Sequence, residues 1–324
     1  MQSWTGCFSA GNRLVPNVLC LMGPTASGKT DVAVRLRAAL PLEIISVDSA
    51  MVYRGMDIGT AKPDAETLRI APHRLIDIRE PEETYSAGDF VRDARREIDD
   101  ILSAGRVPLL VGGTMMYFRA LIEGIASLPA ADAQIRADID READESGWPA
   151  LHARLAGVDP AAARRIEPND SQRIQRALEV YRVSGKPLSE WQKESNSTRR
   201  APYSYQKIGL VPGDRPTLHA RIAERVRLMM DGGLVDEVRQ LLQRPNLTLD
   251  STAMRSVGYR QIGQALLDGT DLEDAAQKAL YATRQLAKRQ YTWLRSEAGL
   301  QVFDPLEVAD SAAISSFIRD QITE

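Results

Sequence analysis

Eight residues, Gly23-Pro24-Thr25-Ala26-Ser27-Gly28-Lys29-Thr30, have the spacing G-x-x-x-x-G-K-T. Glycines let a backbone curl until successive N–H groups face one anion. A helix starting there adds its unpaired N–H groups and the positive end of its dipole. Lys29 supplies a full charge to an outer phosphate, and the Thr30 hydroxyl suits Mg²⁺. The stretch reads as a cradle for linked phosphates, with Mg²⁺ as cofactor. A second chemical group is Asp48, which closes the apolar run Leu42-Glu43-Ile44-Ile45-Ser46-Val47. Function gathers at the carboxyl ends of parallel strands, so this carboxylate is expected beside the phosphates. There it suits an enzyme that takes a proton from an acceptor.

These groups need elements to hold them. The run Val18-Leu19-Cys20-Leu21-Met22 reads as a buried strand before the loop, and Val32, Ala33, Leu36, Ala39 and Leu40 as one side of the helix after it. Residues 42–47 and 107–111 read as further buried strands, the latter running into Gly112-Gly113-Thr114; Arg74-Leu75-Ile76-Asp77-Ile78 reads as a short one. Between them, Ser86 is the expected N-cap and Gly105 the C-cap of a helix with Phe90, Ala94, Ile98 and Ile101 on one face. Strands alternating with helices predict a parallel sheet covered on both faces. Residues 125–170 change texture: Pro149 and Pro160 sit at helix starts, Gly147 and Gly157 at ends, and nothing resembles a strand. Asn169 or Asp170 then caps a helix that turns Ile174, Ala177, Leu178 and Tyr181 inward. Residues 207–211 read as a returning strand, Pro216 opens a helix through Arg221, Arg225 and Met229, and a long helix runs from about Leu272 to Leu294. Leu300-Gln301-Val302-Phe303 closes the series. The expected fold is α/β, a P-loop NTPase-like parallel sheet flanked by helices. Its core takes in 16–124 and 171–310, an all-helical insertion 125–170, and a loose N-terminal extension 1–15.

The 324 residues carry a net charge of −3, with 44% hydrophobic and 26% charged residues. A protein that coats nucleic acid along its whole surface would be basic, so any such contact must be a local patch. Two cysteines, Cys7 and Cys20, lack metal spacing and suit a reducing cytoplasm. No run approaches the length of a membrane span, and residues 1–15 have neither the basic start nor the apolar centre of a secretory signal. The expectation is a cytoplasmic monomer with no membrane partner. His73, His152 and His219 are dispersed and read as structural.

A phosphate loop alone names no reaction. The strand at 107–111 ends in glycine, where ring and motor ATPases place a Mg²⁺-holding acid, and no Asn-Lys-x-Asp guanine motif is present. Two classes stay open: a nucleoside or small-molecule kinase, and a transferase whose donor carries a diphosphate other than ATP. An RNA-binding module with a vestigial nucleotide site is a third reading.

Five ordered stretches sharpen the choice. The phosphate loop, Asp48-Ser49-Ala50-Met51-Val52-Tyr53-Arg54-Gly55-Met56-Asp57-Ile58-Gly59-Thr60-Ala61-Lys62-Pro63, Val111-Gly112-Gly113-Thr114, Arg255-Ser256-Val257-Gly258-Tyr259-Arg260, and Thr283 through Arg295 together resemble the tRNA dimethylallyltransferases over about residues 17–304. Met51 departs conservatively from the usual Leu or Gln. The resemblance implies transfer of a dimethylallyl group from dimethylallyl diphosphate to the exocyclic amine of the adenine just 3′ of a tRNA anticodon. It implies Asp48 as proton acceptor, with Thr114 orienting the amine. It implies Gly23 to Thr30 and Arg225 as holders of the diphosphate, with Mg²⁺ on Thr30. It implies tRNA contacts from Asp48, Ser49, Ala50, Met51, Thr114, Arg136, Gln172, Arg173, Ile174, Gln175, Arg176, and Arg255, Ser256, Val257, Gly258, Tyr259 and Arg260, with Arg164, Arg165, Arg199 and Arg200 gripping backbone phosphates. The partner is the anticodon stem-loop, whose target base must leave its stack. Plainer roles are open to the same residues: Asp48 as a cap, and Arg225 as a surface partner of Glu224 or Glu237. In the 284–295 run, Leu286, Trp293 and Leu294 look like core, and the cations serve either RNA or a solvated face.

Overall fold

The computed structural model describes residues 17–126, 128–195 and 203–323. The expected extension 1–15, with Cys7, and the cations Arg199 and Arg200 lie outside them. The described chain divides into two compact units, one built from residues up to Ile122 and from 203 onward, the other lying within Glu123–Ala201.

The larger unit begins β1 (Asn17–Met22), α1 (Lys29–Ala39), β2 (Leu42–Val47), α2 (Ala65–Ile70), β3 (His73–Arg74), α3 (Ala87–Ser103), β4 (Val107–Gly112) and α4 (Met115–Ile122). The smaller unit supplies α5 (Ala133–Ser146), α6 (Trp148–Val158), α7 (Pro160–Ala163), α8 (Ser171–Ser184) and α9 (Leu188–Ser195). The larger resumes with β5 (Ser204–Leu210), α10 (Arg215–Asp231), α11 (Leu234–Leu242), α12 (Tyr259–Asp268), α13 (Leu272–Ser296), β6 (Gln301–Phe303) and α14 (Val308–Thr323).

Six strands form one sheet in the order β3-β2-β4-β1-β5-β6, every neighbour parallel. Both faces of the central strands are buried: Val18, Cys20 and Met22 join one apolar cluster, Leu19 and Leu21 the other. That explains why these strands read as unbroken apolar runs. Burial also pushes up the pKa of the Cys20 thiol inside β1, against the opposing pull of Lys207. Ser86 caps α3 in a reciprocal box with Asp89, as its sequence position predicts, while Gly105 follows the C-cap Ala104. Register pairs Gly112 with both Met22 and Val47. The residues that follow these three strands therefore emerge side by side.

Two expectations are corrected. The strand expected over 74–78 stops at Arg74. Leu75 and Asp77 take left-handed φ values of 63° and 56°. The amides of Asp77 and Ile78 bond to Met51 O and Val52 O at 3.2 and 2.9 Å, which diverts the chain from the sheet. The second concerns the insertion. Its expected end at 170 falls inside the smaller unit, because α8 buries Ile174, Ala177 and Leu178 against Ile139, Leu151 and Leu155. An amphipathic stripe announces a buried face without naming the partner that covers it. The cap of α8 is Asp170, and Gly185 ends it in the left-handed region. No helix among the described residues is long and apolar enough to cross a membrane.

Candidate active site

The phosphate loop joins β1 to α1. Gly28 is the N-cap of α1 at φ 89°, a conformation that costs glycine little. A Cβ built there would lie 3.5 Å from Arg221 Nη2, so α10 brings that guanidinium over the loop. Beneath it, Ala26 packs with Leu218 and Ile222 of α10 and Ala287 of α13. Lys29 Nζ donates to Pro24 O at 2.7 Å. The buried Ser27 hydroxyl has no partner among the described residues, an orphan of the kind that an oxygen-rich ligand satisfies.

Asp48 follows β2. Its Oδ1 accepts from the amides of Ala50 and Met51 at 2.8 and 3.1 Å, so the plainer capping role is real and occupies one carboxylate oxygen. The Ser49 amide donates to Thr114 Oγ1 at 3.2 Å, tying the Asp48 loop to the turn after β4. Thr114 N donates to Val47 O at 3.3 Å. Lys29, Thr30, Asp48, Thr114, Arg225 and Arg255 all line one cavity of about 510 Å³. Its apolar wall includes Met115, Met229, Met230, Leu234, Leu286 and Trp293. Polar groups that converge within an apolar hollow are the usual character of a ligand site.

Electrostatics marks this cavity as a place for an anion. Burial, with the charge of Arg225 beside it, pushes the Lys29 ammonium pKa down to about 7, while Asp48 pulls it upward. The pKa of Arg225 is itself lowered, by burial and then by Arg221, with Asp31 opposing. Neither expected partner of Arg225 is available. Glu224 pairs with Arg227 at 2.7 Å, and Glu237 is taken elsewhere. Arg225 makes no ion pair among the described residues. Like charges held this close, and only partly offset by Asp48 and Asp31, favour a bound anion.

Glu237 explains two of the sequence motifs. Its carboxylate accepts the amides of Asp57, Ile58 and Gly59 at 3.0, 2.8 and 3.2 Å. It also accepts the Tyr259 hydroxyl at 2.5 Å. Lys62, whose side chain is only 4% exposed, pairs with Asp57 and Asp77 and donates to Tyr53 O. Much of the sixteen-residue motif is thus a pinned loop. Tyr259 is fully buried, which takes its side chain out of the expected RNA contacts; Gly258, an N-cap, lines the cavity. Arg255 and Arg260 are exposed, and Arg255, Ser256 and Val257 reach the cavity.

The smaller unit sorts its expected RNA contacts in the same way. Ile174 is fully buried and belongs to the core. Arg136 and Arg176 both turn onto the buried Glu179, at 2.8 and 2.6 Å, and Arg176 also bonds Pro129 O at 2.8 Å. Burial alone would raise the Glu179 pKa; the bonds from Arg136 and Arg176 reverse that and hold it low. Gln175 bonds Asp140 at 2.5 Å. Gln172 and Arg173 remain on the exposed face, Arg173 with a side chain 71% exposed.

Sequence reasoning passed over Gln290. It reads Glu237 only as a partner for Arg225. Gln290 lies three residues after Ala287 and four before Leu294, both buried; Glu237 stands likewise between Leu234 and Leu241. A polar residue on the apolar stripe of a helix is the signal that could have found them.

Known proteins place this architecture. A family model described as IPP transferase matches residues 51–297. The chain belongs to the IPP transferase family. It is 58% identical over 295 residues to a tRNA dimethylallyltransferase of Thiobacillus denitrificans, covering 90% of this chain and 93% of that protein. It is also similar to the full-length tRNA isopentenylpyrophosphate transferase of Bacillus halodurans. That match has 36% identity and a TM-score of 0.70, over 96% of this chain and 97% of that one. A eukaryotic dimethylallyltransferase seen acting on tRNA matches with a TM-score of 0.79 at 25% identity, over 95% of this chain and 80% of that one. The family bears out the expected P-loop α/β fold and the transferase reading of the phosphate loop.

Proposed function

We propose that this chain moves a dimethylallyl group from dimethylallyl diphosphate to N6 of the adenine 3′-adjacent to the anticodon of tRNA. The products are N6-dimethylallyladenosine and diphosphate. The observation that carries the reading is one cavity lined by the phosphate loop, Asp48, Thr114 and an apolar wall, in a close relative of tRNA dimethylallyltransferases. On this reading it acts as a cytoplasmic monomer.

In the reaction, the N6 lone pair forms a bond to the terminal allylic carbon as the carbon–oxygen bond to diphosphate breaks, its electrons leaving with the diphosphate. N6 is a weak nucleophile because its lone pair is delocalised into the purine, so it must lose a proton as the bond forms. Asp48 takes that proton with the carboxylate oxygen that capping leaves free, and Thr114 orients the amine. Loop amides, Ser27, Lys29 and Arg225 receive the departing charge, with Arg221 alongside. Thr30 would hold Mg²⁺ together with donor oxygens, and the ion would neutralise charge on the leaving diphosphate. The orphaned Ser27 hydroxyl, and Arg225, which makes no ion pair among the described residues, fit such a donor. Met229, Met230 and Leu234 offer apolar surface to the five-carbon chain. Ser49, Ala50, Met51, Arg255, Ser256, Val257, Gly258 and Arg260 are the proposed tRNA contacts of the larger unit. Gln172, Arg173, Arg164 and Arg165 are those of the smaller.

The deciding assay offers unmodified tRNA, labelled dimethylallyl diphosphate and ATP in parallel. Label entering the RNA is expected. Phosphate transfer from ATP without labelled RNA would establish a kinase, and RNA binding without turnover a binding module.

A further inference from the structure

Helix α13 crosses the carboxyl ends of three strands. Tyr291 donates its hydroxyl to Pro212 O, just after β5, at 2.7 Å. One residue earlier, the buried Gln290 bridges the other two strand ends. Its Oε1 accepts the Thr25 amide at 2.8 Å, and its Nε2 donates to Gly113 O at 2.9 Å. Thr25 belongs to the phosphate loop, and Gly113 immediately precedes Thr114. A Cβ built on Gly113 would fall 2.4 Å from Gln290 Nε2, so the amide fills the space that the absent side chain leaves. Each end of the Gln290 amide thus makes one bond to the frame of the site, which it also lines.

We infer that Gln290 is a positioning residue for the transfer: its carboxamide sets the spacing between the donor's phosphate loop and the Thr114 turn that faces the acceptor. The inference rests on the transferase reading above. A carboxamide is suited to the task because it carries one acceptor and one donor face in fixed geometry. Loop and turn come from different strands, and no bond within the sheet sets their separation beyond Gly112. Transfer to a weak nucleophile demands near-contact of N6 and the allylic carbon, and a misplacement of about 1 Å can cost about 10²-fold. Leu286, Arg289 and Trp293 of the same helix line the cavity, so α13 both walls the site and calibrates it.

Two variants test this in the full chain. Gln290→Met keeps the volume and removes both bonds. The expected result is kcat lowered by about 10-fold or more, with donor KM within about threefold and a native fold by circular dichroism, the unfolding midpoint falling with the two stranded backbone groups. Gln290→Glu keeps the acceptor for Thr25 but sets a carboxylate against Gly113 O; protonation restores the donor. Its kcat relative to wild type should therefore rise as pH falls. Exchange of the Thr25 amide hydrogen, read by NMR without any substrate, should quicken in Gln290→Met. A Gln290→Met enzyme within twofold of wild-type kcat, or a Gln290→Glu profile parallel to wild type, overturns the inference. A wild-type enzyme that labels no RNA overturns the transferase reading instead, and the Thr25 exchange still reports on the clamp.

Discussion

Tyr259 donates its hydroxyl to Glu237 across 2.5 Å, and the same carboxylate holds the amides of Asp57, Ile58 and Gly59. Two stretches some two hundred residues apart in sequence are thereby joined at one half-buried charge. Tyr259→Phe should cost about 1.5–3 kcal/mol, the range for a hydrogen bond to a charged group. Glu237→Ala should cost more, since it strands four donors. Urea unfolding measures both, and a loss below about 0.5 kcal/mol for Glu237→Ala would remove the cradle from its structural role.

Donor binding should depend on pH through Lys29. In the free protein its pKa is about 7, and a bound diphosphate restores the charged form. Binding therefore takes up a proton above pH 7. Diphosphate affinity should be flat below about pH 7 and fall by about tenfold per unit above it, once the ligand's own titration is subtracted. Lys29→Met should bind weakly and lack that slope. The same shift has a consequence for folding. The unfolded chain binds more protons at Lys29 between its folded value of about 7 and the ordinary 10.5, so this group's contribution to stability grows as pH rises through that window. Calorimetry from pH 6 to 9 reads both effects.

Asp48→Asn should separate capping from proton transfer. Asparagine still offers Oδ1 to the amides of Ala50 and Met51, so the fold and donor binding should persist. The kcat should fall by about 10²–10⁴-fold, the usual worth of a positioned base. Single-turnover transfer at saturating donor measures it, and near-normal turnover would assign the proton to another acceptor.

Arg225→Ala should lower kcat/KM for the donor by about 10²–10³-fold, as loss of one donor to developing negative charge does elsewhere. It should also raise the Lys29 pKa, because a neighbouring positive charge is gone. A Lys29 titration followed by NMR that does not move on Arg225→Ala would contradict the proximity of the two groups.

In the smaller unit, Glu179→Ala should destabilise by about 1.5–3 kcal/mol, the range for losing a hydrogen bond to a charged group, because the arginines left behind are partly exposed. Arg136→Ala should show its larger effect on thermal unfolding rather than on RNA affinity, because its guanidinium is spent on Glu179. An Arg136→Ala protein of unchanged stability with RNA affinity lowered tenfold would restore the arginine to the RNA surface.

Local chemistry was legible in the chain itself. The G-x-x-x-x-G-K-T spacing, the carboxylate ending an apolar run and the alternation of strand and helix all follow from steric rules acting over a few residues. They announced the anion cradle, Asp48 and the parallel sheet. The same short-range signals could not tell which polar side chains turn inward. Arg136, Ile174 and Tyr259 look like readers of RNA in a motif. Burial makes one the partner of Glu179, one a core residue and one the partner of Glu237. That sorting depends on which helix covers which, a matter of contacts between residues far apart in the chain. The carboxylate of Glu237 and the amide of Gln290 acquire their partners only when α11, α12 and α13 pack against the loops after β1, β2 and β4. Residue types and spacing decided what chemistry the chain can do; the packing of its helices over the strand ends decided which side chains are left free to do it.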